Sequence, residues 1–134
     1  MTDRPFRVLV ADDDADIREL VAVAVRRAGM EAVTVADGDE ALAAVAADRP
    51  DAVVLDVSMP GLGGLEACAA LRADPATADL PIMLLSAAVH EVAVEAGRGA
   101  GADLYVGKPF KVRELAERLR ELVAGRPAGT GGPP

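Results

Sequence analysis

Five side chains able to do chemistry stand where short apolar runs end. Asp12 and Asp13 follow the run from Phe6 to Ala11, Asp56 closes the run from Ala52, Ser86 follows Pro81 to Leu85, and Lys108 follows Asp103 to Gly107. Runs of this length read as buried strands, and an open parallel sheet binds its ligands at the carboxyl ends of its strands. Three carboxylates, a hydroxyl and an ammonium, far apart in the chain, are thereby expected at one sheet edge. The carboxylates would repel one another, and a hard divalent cation with oxygen ligands and retained waters relieves that repulsion, Mg²⁺ being the natural candidate. A carboxylate is also a nucleophile toward phosphorus, forming an aspartyl phosphate when metal and cations neutralise the phosphoryl oxygens. Lys108 could supply a point charge. Ser86 could donate its hydroxyl to a phosphoryl oxygen, a contact made only in the modified state and able to draw its loop inward.

The elements that must position these groups are legible as an alternation. Apolar runs at Phe6 to Ala11, Ala32 to Ala36, Ala52 to Asp56, Pro81 to Leu85 and Asp103 to Gly107 read as buried strands, and stretches with helical spacing separate them. In the first helix Ile17, Leu20, Val21, Ala24 and Val25 share one face, with Arg18, Arg26 and Arg27 off it. Asp16 with Glu19 and Asp37 with Glu40 have the spacing of helix N-terminal signatures, and Gly29 sits where a glycine stop belongs. Parallel strands covered by helices on both faces, joined by right-handed crossovers, make a doubly wound α/β domain. The last helix spans residues 111 to 124, with Val112, Leu115, Leu119 and Leu122 inward and Arg113 with Glu117, and Glu114 with Arg118, spaced to pair outside. The domain is thus 1–124. Residues 125–134, with four Gly and three Pro, read as a flexible Gly/Pro-rich tail.

With these residues in place, the chain resembles a response-regulator receiver domain of the stand-alone chemotaxis-regulator (CheY-like) type, over about residues 5 to 124. The motifs are Val8-Leu9-Val10-Ala11-Asp12-Asp13-Asp14, Leu55-Asp56-Val57-Ser58-Met59-Pro60-Gly61, Leu85-Ser86-Ala87 and Lys108-Pro109-Phe110. The resemblance implies a flavodoxin-like, five-stranded parallel sheet in the order 2-1-3-4-5. It implies Asp56 as phosphoacceptor, and as metal ligands Asp13, Asp56 itself, the Ser58 backbone carbonyl, and Asp12 through water. It further implies Ser86 as switch hydroxyl, Lys108 as phosphate contact and Tyr105 as the aromatic that turns inward on phosphorylation. Such a receiver is not an enzyme for an outside substrate; it catalyses its own phosphorylation and dephosphorylation at Asp56, with Mg²⁺ bound. Its partners would be a sensor histidine kinase or histidine phosphotransfer protein and a downstream protein target that meets the face of helix four, strand five and helix five. A phosphorylation-promoted homodimer through the last helix is compatible with the resemblance. Two departures are visible: Gly97, Gly99 and Gly101 around the end of helix four, expected to leave that helix short or mobile, and the Asp12 to Asp14 triple, which leaves the acid pair open by one residue.

Composition narrows the classes. A chain of 134 residues is one domain and buries roughly two thirds of its unfolded surface, enough for a core without staples. The single Cys68 fits a reducing compartment. No apolar run approaches membrane-spanning length, and the run ending at Asp12 has no cleavage site after it, so cytoplasm is the expected location. A net charge of -8 is a poor footprint for a phosphate-backbone binder, and one Tyr, two Phe and no Trp leave no base-stacking platform, so direct nucleic-acid contact is not expected. Each site residue alone has a plain reading: Asp14 or Ser86 as a helix cap, Asp56 in an Asx turn, Lys108 as a surface lysine, and His90 and Cys68 without partners at ligand spacing. A Mg²⁺-dependent phosphohydrolase would need a second acid near Asp56, where Ser58 stands instead, and a lid that the chain has no insertion to form. A phosphate-independent adaptor would not require every one of the site residues. With no second domain in the tail, output goes through a protein partner unless the chain is a fragment of a longer regulator.

Overall fold

A computed structural model describes residues 5–124, so residues 125–134, read above as a tail, lie outside the described residues. Strands and helices alternate: β1 (Arg7–Ala11), α1 (Ala15–Arg27), β2 (Glu31–Val35), α2 (Gly38–Ala47), β3 (Ala52–Asp56), α3 (Gly64–Ala73), β4 (Ile82–Ser86), α4 (Glu91–Ala100), β5 (Leu104–Gly107) and α5 (Val112–Ala124). All strand pairs are parallel, in the order β2-β1-β3-β4-β5. The expected doubly wound sheet is what forms, with strand bounds shifted by a residue at some ends.

Because strand side chains alternate between faces, two cores form. Val8, Val10, Val54, Met83 and Leu85 pack with Val21 and Val25 of α1 and Leu115 and Leu119 of α5. Leu9, Ala11, Val53, Leu55, Ile82 and Leu84 pack with Ala41 and Val45 of α2 and with Ala67, Cys68 and Leu71 of α3. The strands that carry Asp56 and Ser86 are buried along their whole length, so these two site residues stand on the most deeply buried strands of the sheet.

Several sequence expectations are corrected. The strand expected at Ala32 to Ala36 is not buried: β2 is an edge with β1 on one side alone, and Val33 is 39% exposed. β5, the other edge, is half-buried. Leu20, expected inward, is 43% exposed, while Ala22 takes a buried place. The cap of α1 is Asp14, whose Oδ1 accepts from the N–H of Asp16 at 2.9 Å and of Ile17 at 3.2 Å. The Asp16 and Glu19 signature therefore lies inside the helix. Asp37 does cap α2, accepting from the Glu40 N–H, while Glu40 reaches back to the Ala36 N–H. Gly29 ends α1 as expected, at φ +87, with its N–H on Arg26 and that of Met30 on Val25.

On α5, Arg118 pairs with Glu121 at 3.2 Å, and the pairs expected four residues apart are not formed among the described residues. The inward positions Leu115, Leu119 and Leu122 are buried as expected. Nor do the glycines shorten α4, which has ten residues like α2 and α3 and stops at Gly101, φ +104. Its cap is His90, not Ser86, with Nδ1 accepting from the Ala93 N–H at 3.3 Å. No helix among the described residues is long and apolar enough to cross a membrane.

Candidate functional site

The loops after β1, β3 and β5 bring the expected groups to one point. Asp12 is fully buried and Asp56, the last residue of β3, is 4% exposed; Asp13 faces solvent. One carboxylate oxygen from each of the three lies within 4.8 Å of the others. Lys108 reaches in from beyond β5, its Nζ donating to Asp56 Oδ1 at 3.0 Å and to Asp12 Oδ2 at 3.3 Å. Ordering of the acid triple is thereby resolved, since Asp12 and Asp13 enter the cluster and Asp14 caps α1.

The charges are not balanced. Three carboxylates face one ammonium. Burial, reinforced by the charge of Asp12, raises the Asp56 pKa above its ordinary value, against the lowering effect of Lys108 and of the Ser58 N–H that donates to the same carboxylate. For Lys108 burial acts against the charge, but the hydrogen bond to Asp56 and the charges of Asp12 and Asp56 outweigh it and raise the ammonium pKa. A buried acid whose charge remains costly beside a lysine signals a place for more positive charge. All the donors are oxygen, and Asp13 leaves one side open to water, so the set fits a hard divalent cation that keeps part of its hydration.

Ser86 ends β4 and is 5% exposed, its Oγ accepting from the Ala88 N–H at 3.0 Å. The neighbouring Ala88 carbonyl accepts from the Tyr105 hydroxyl at 2.6 Å. Ser86 and Tyr105 thus hold successive groups of the same loop residue, one through the amide and the other through the carbonyl. Ser58 is exposed in the loop two residues beyond Asp56.

Sequence reasoning missed three contributors. Arg18, placed off the apolar face of α1, turns its guanidinium onto the Asp12 carbonyl at 2.7 Å. His90 caps α4, and Gly97 provides the surface on which the Tyr105 ring rests. No local signal marks these roles, because two depend on how neighbouring elements pack and the third on a bond that other residue types make more often.

Comparison with known proteins bears on this geometry. The family model for the response regulator receiver domain matches residues 8–120. The DNA-binding response regulator MtrA of Mycobacterium tuberculosis is 43% identical over 114 residues, which is 85% of this chain and 49% of that protein. This chain spans about half the length of the relatives it matches by sequence. Among solved structures, the chemotaxis response regulator CheY4 of Vibrio cholerae superposes with a TM-score of 0.83 at 33% identity, covering 88% of this chain and 98% of that one. The receiver domain of sensor histidine kinase PA1611 from Pseudomonas aeruginosa PAO1 superposes with a TM-score of 0.82 at 28% identity, covering 90% and 98%; it has a magnesium ion coordinated in its active-site cleft.

Proposed function

This chain belongs to the response-regulator receiver family, the signal-receiving module of two-component systems, and from that premise we propose that it is a Mg²⁺-dependent phosphoacceptor with Asp56 as the residue modified. The observation that carries the reading is the Asp56 carboxylate: buried at a strand end, bonded to Lys108, and within reach of two further acids.

In the transfer, an Asp56 carboxylate oxygen forms the new P–O bond as the P–N bond of a donor phosphohistidine breaks, and the imidazole leaves. The donor is a sensor histidine kinase or a histidine phosphotransfer protein. Asp13, Asp56, the Ser58 carbonyl and, through water, Asp12 would hold Mg²⁺, which when bound supplies charge to the phosphoryl oxygens. Lys108, bonded to Asp56 Oδ1, supplies further positive charge to the phosphoryl oxygens. The same groups, with water as nucleophile, would return Asp56 to its free state. Ser86 gives up the Ala88 N–H to donate to the phosphoryl group. That exchange frees the loop whose carbonyl Tyr105 now holds, and so alters the face of α4, β5 and α5 presented to a downstream protein, or to a second copy in a phosphorylation-promoted dimer. Such signalling belongs in the cytoplasm, and the net charge of -8 opposes direct nucleic-acid contact by this chain.

Intact mass after incubation with acetyl phosphate, with and without Mg²⁺, tests the reading. One added phosphoryl group is expected in the wild type with metal and none in Asp56→Asn. Equal labelling of the variant, or no labelling of the folded wild type, would overturn it.

A further inference from the structure

We propose that Arg18 is a positioning residue of the acidic site, setting its affinity for a divalent cation by fixing the peptide that links Asp12 and Asp13; this rests on the receiver reading above. Arg18 lies in α1, half-buried, and its Nη1 donates to the Asp12 carbonyl at 2.7 Å. That carbonyl belongs to the peptide between two of the three clustered carboxylates. Every other polar atom of Asp12 is also committed. Its N–H donates to the Val35 carbonyl at 3.3 Å, Oδ1 accepts from the Asp14 N–H at 2.9 Å, and Oδ2 accepts from Lys108 at 3.3 Å. The turn is held from the strand side by Val35 and from the helix side by Asp14 and Arg18.

A guanidinium makes an odd partner for a site that attracts cations. Its charge opposes a metal ion, and solvent would satisfy its donors equally well. The hydrogen bond from a charged donor is short and strong, and it fixes a peptide whose rotation would swing the exposed Asp13 carboxylate away from Asp12 and Asp56. Charge and clamp therefore predict opposite signs when the side chain is removed: loss of charge tightens cation binding, loss of the clamp loosens it. Partners that orient metal ligands are worth about 10- to 100-fold in affinity, whereas the charge of a half-buried guanidinium, already engaged by a carbonyl, is only partly screened by salt and weakens cation binding by less. The clamp is expected to win.

Calorimetric titration of the full chain with MgCl₂ at 0.15 M salt separates the two, using wild type, Arg18→Met and Arg18→Lys. Arg18→Met is expected to bind about tenfold more weakly, and Arg18→Lys, which keeps a charged donor, to recover most of the loss. Metal-free amide exchange provides a second readout: the Asp13 and Asp14 amides should exchange faster in Arg18→Met and return toward wild type in Arg18→Lys. Affinity equal to or tighter than wild type in Arg18→Met overturns the proposal, as does equal weakening in both variants. A wild type that takes up neither Mg²⁺ nor a phosphoryl group overturns the receiver reading instead.

Discussion

Alanine placed at Gly97 and at Gly99 should have opposite effects on stability, although the two sites are two residues apart on one helix. A Cβ at Gly97 would lie 2.6 Å from Cδ2 and 2.9 Å from Cε2 of Tyr105, and 3.3 Å from Leu84 Cδ1. Carbon atoms rest at about 3.5–4.0 Å, so the ring must withdraw by roughly 1 Å. It cannot do so freely, because its hydroxyl is held at 2.6 Å by the Ala88 carbonyl. Overpacking of this kind costs about 1–3 kcal/mol, while replacing glycine in a helix returns about 1 kcal/mol. Gly97→Ala should therefore lose about 0–2 kcal/mol. At Gly99 nothing lies within 4 Å, and Gly99→Ala should keep the whole gain of about 1 kcal/mol. Urea unfolding followed by circular dichroism measures both. With one tyrosine and no tryptophan in the chain, intrinsic emission reports Tyr105 alone, and it should change in Gly97→Ala and not in Gly99→Ala. Equal stabilisation by both substitutions, with emission unchanged, would refute the ring's placement on Gly97.

Two further perturbations act at Asp56, the proposed acceptor. Because the folded pKa of Asp56 is raised above 3.8 by burial and then by Asp12, the folded chain holds this proton to higher pH than the unfolded chain, and stability falls as pH rises from about 4 through the raised value. Metal-free Asp56→Asn should accordingly melt above wild type at pH 7, with the gap closing below about pH 4; identical melting at pH 7 would refute it. Gly64→Ala would set a Cβ 2.4 Å from the Asp56 carbonyl oxygen and 3.0 Å from Val57 Cα, both backbone atoms with no freedom to yield. It should cost about 1–3 kcal/mol in urea unfolding and slow phosphoryl uptake by mass, and a variant as stable as wild type would show the approach to be wrong.

The site was legible because its residues sit at the ends of strands that are apolar from end to end. Asp12, Asp56, Ser86 and Lys108 each follow such a run, and parallel topology does the rest. What escaped was decided by position in the sheet. Val33 looks as apolar as Val53 in sequence, yet β2 has one strand neighbour and β3 has two, so Val33 is 39% exposed and Val53 is sealed. Leu20 fits the helical stripe, but that stripe is wider than the surface α1 covers, and the leucine at its margin stays in water. The Asp16 and Glu19 spacing set the start of α1 too late, while the plain reading of Asp14 as a cap holds. Only the turn geometry spends Asp12 and Asp13 on the cluster and leaves Asp14 for the helix. Arg18 and Gly97 had no signal at all, since a carbonyl 2.7 Å from a guanidinium and a ring 2.6 Å from an added Cβ are facts of tertiary packing.

The uneven packing of the molecule is itself an argument for a switch. Asp56, the proposed acceptor, and Ser86 stand on β3 and β4, buried throughout, so the two strands are held in place while the Ser86 hydroxyl turns. At the other end of the coupled loop, α4 buries Gly97 and no other residue, Val89 is 61% exposed and Val92 is 75% exposed. Val89 makes its close approach over Gly107, where a β-carbon would meet its Cγ1 at 2.6 Å. Helix and loop are thus held to β5 by the Tyr105 ring on Gly97, the Val89 methyl over Gly107, and the hydroxyl on Ala88. Local opening starts where apolar burial is least, so on the proposed reading a change in free energy introduced at Asp56 would be released at the face of α4 and β5. Were the burial reversed, with α4 sealed and β3 at an edge, the same phosphoryl group would disturb its own site and leave the partner face as it was.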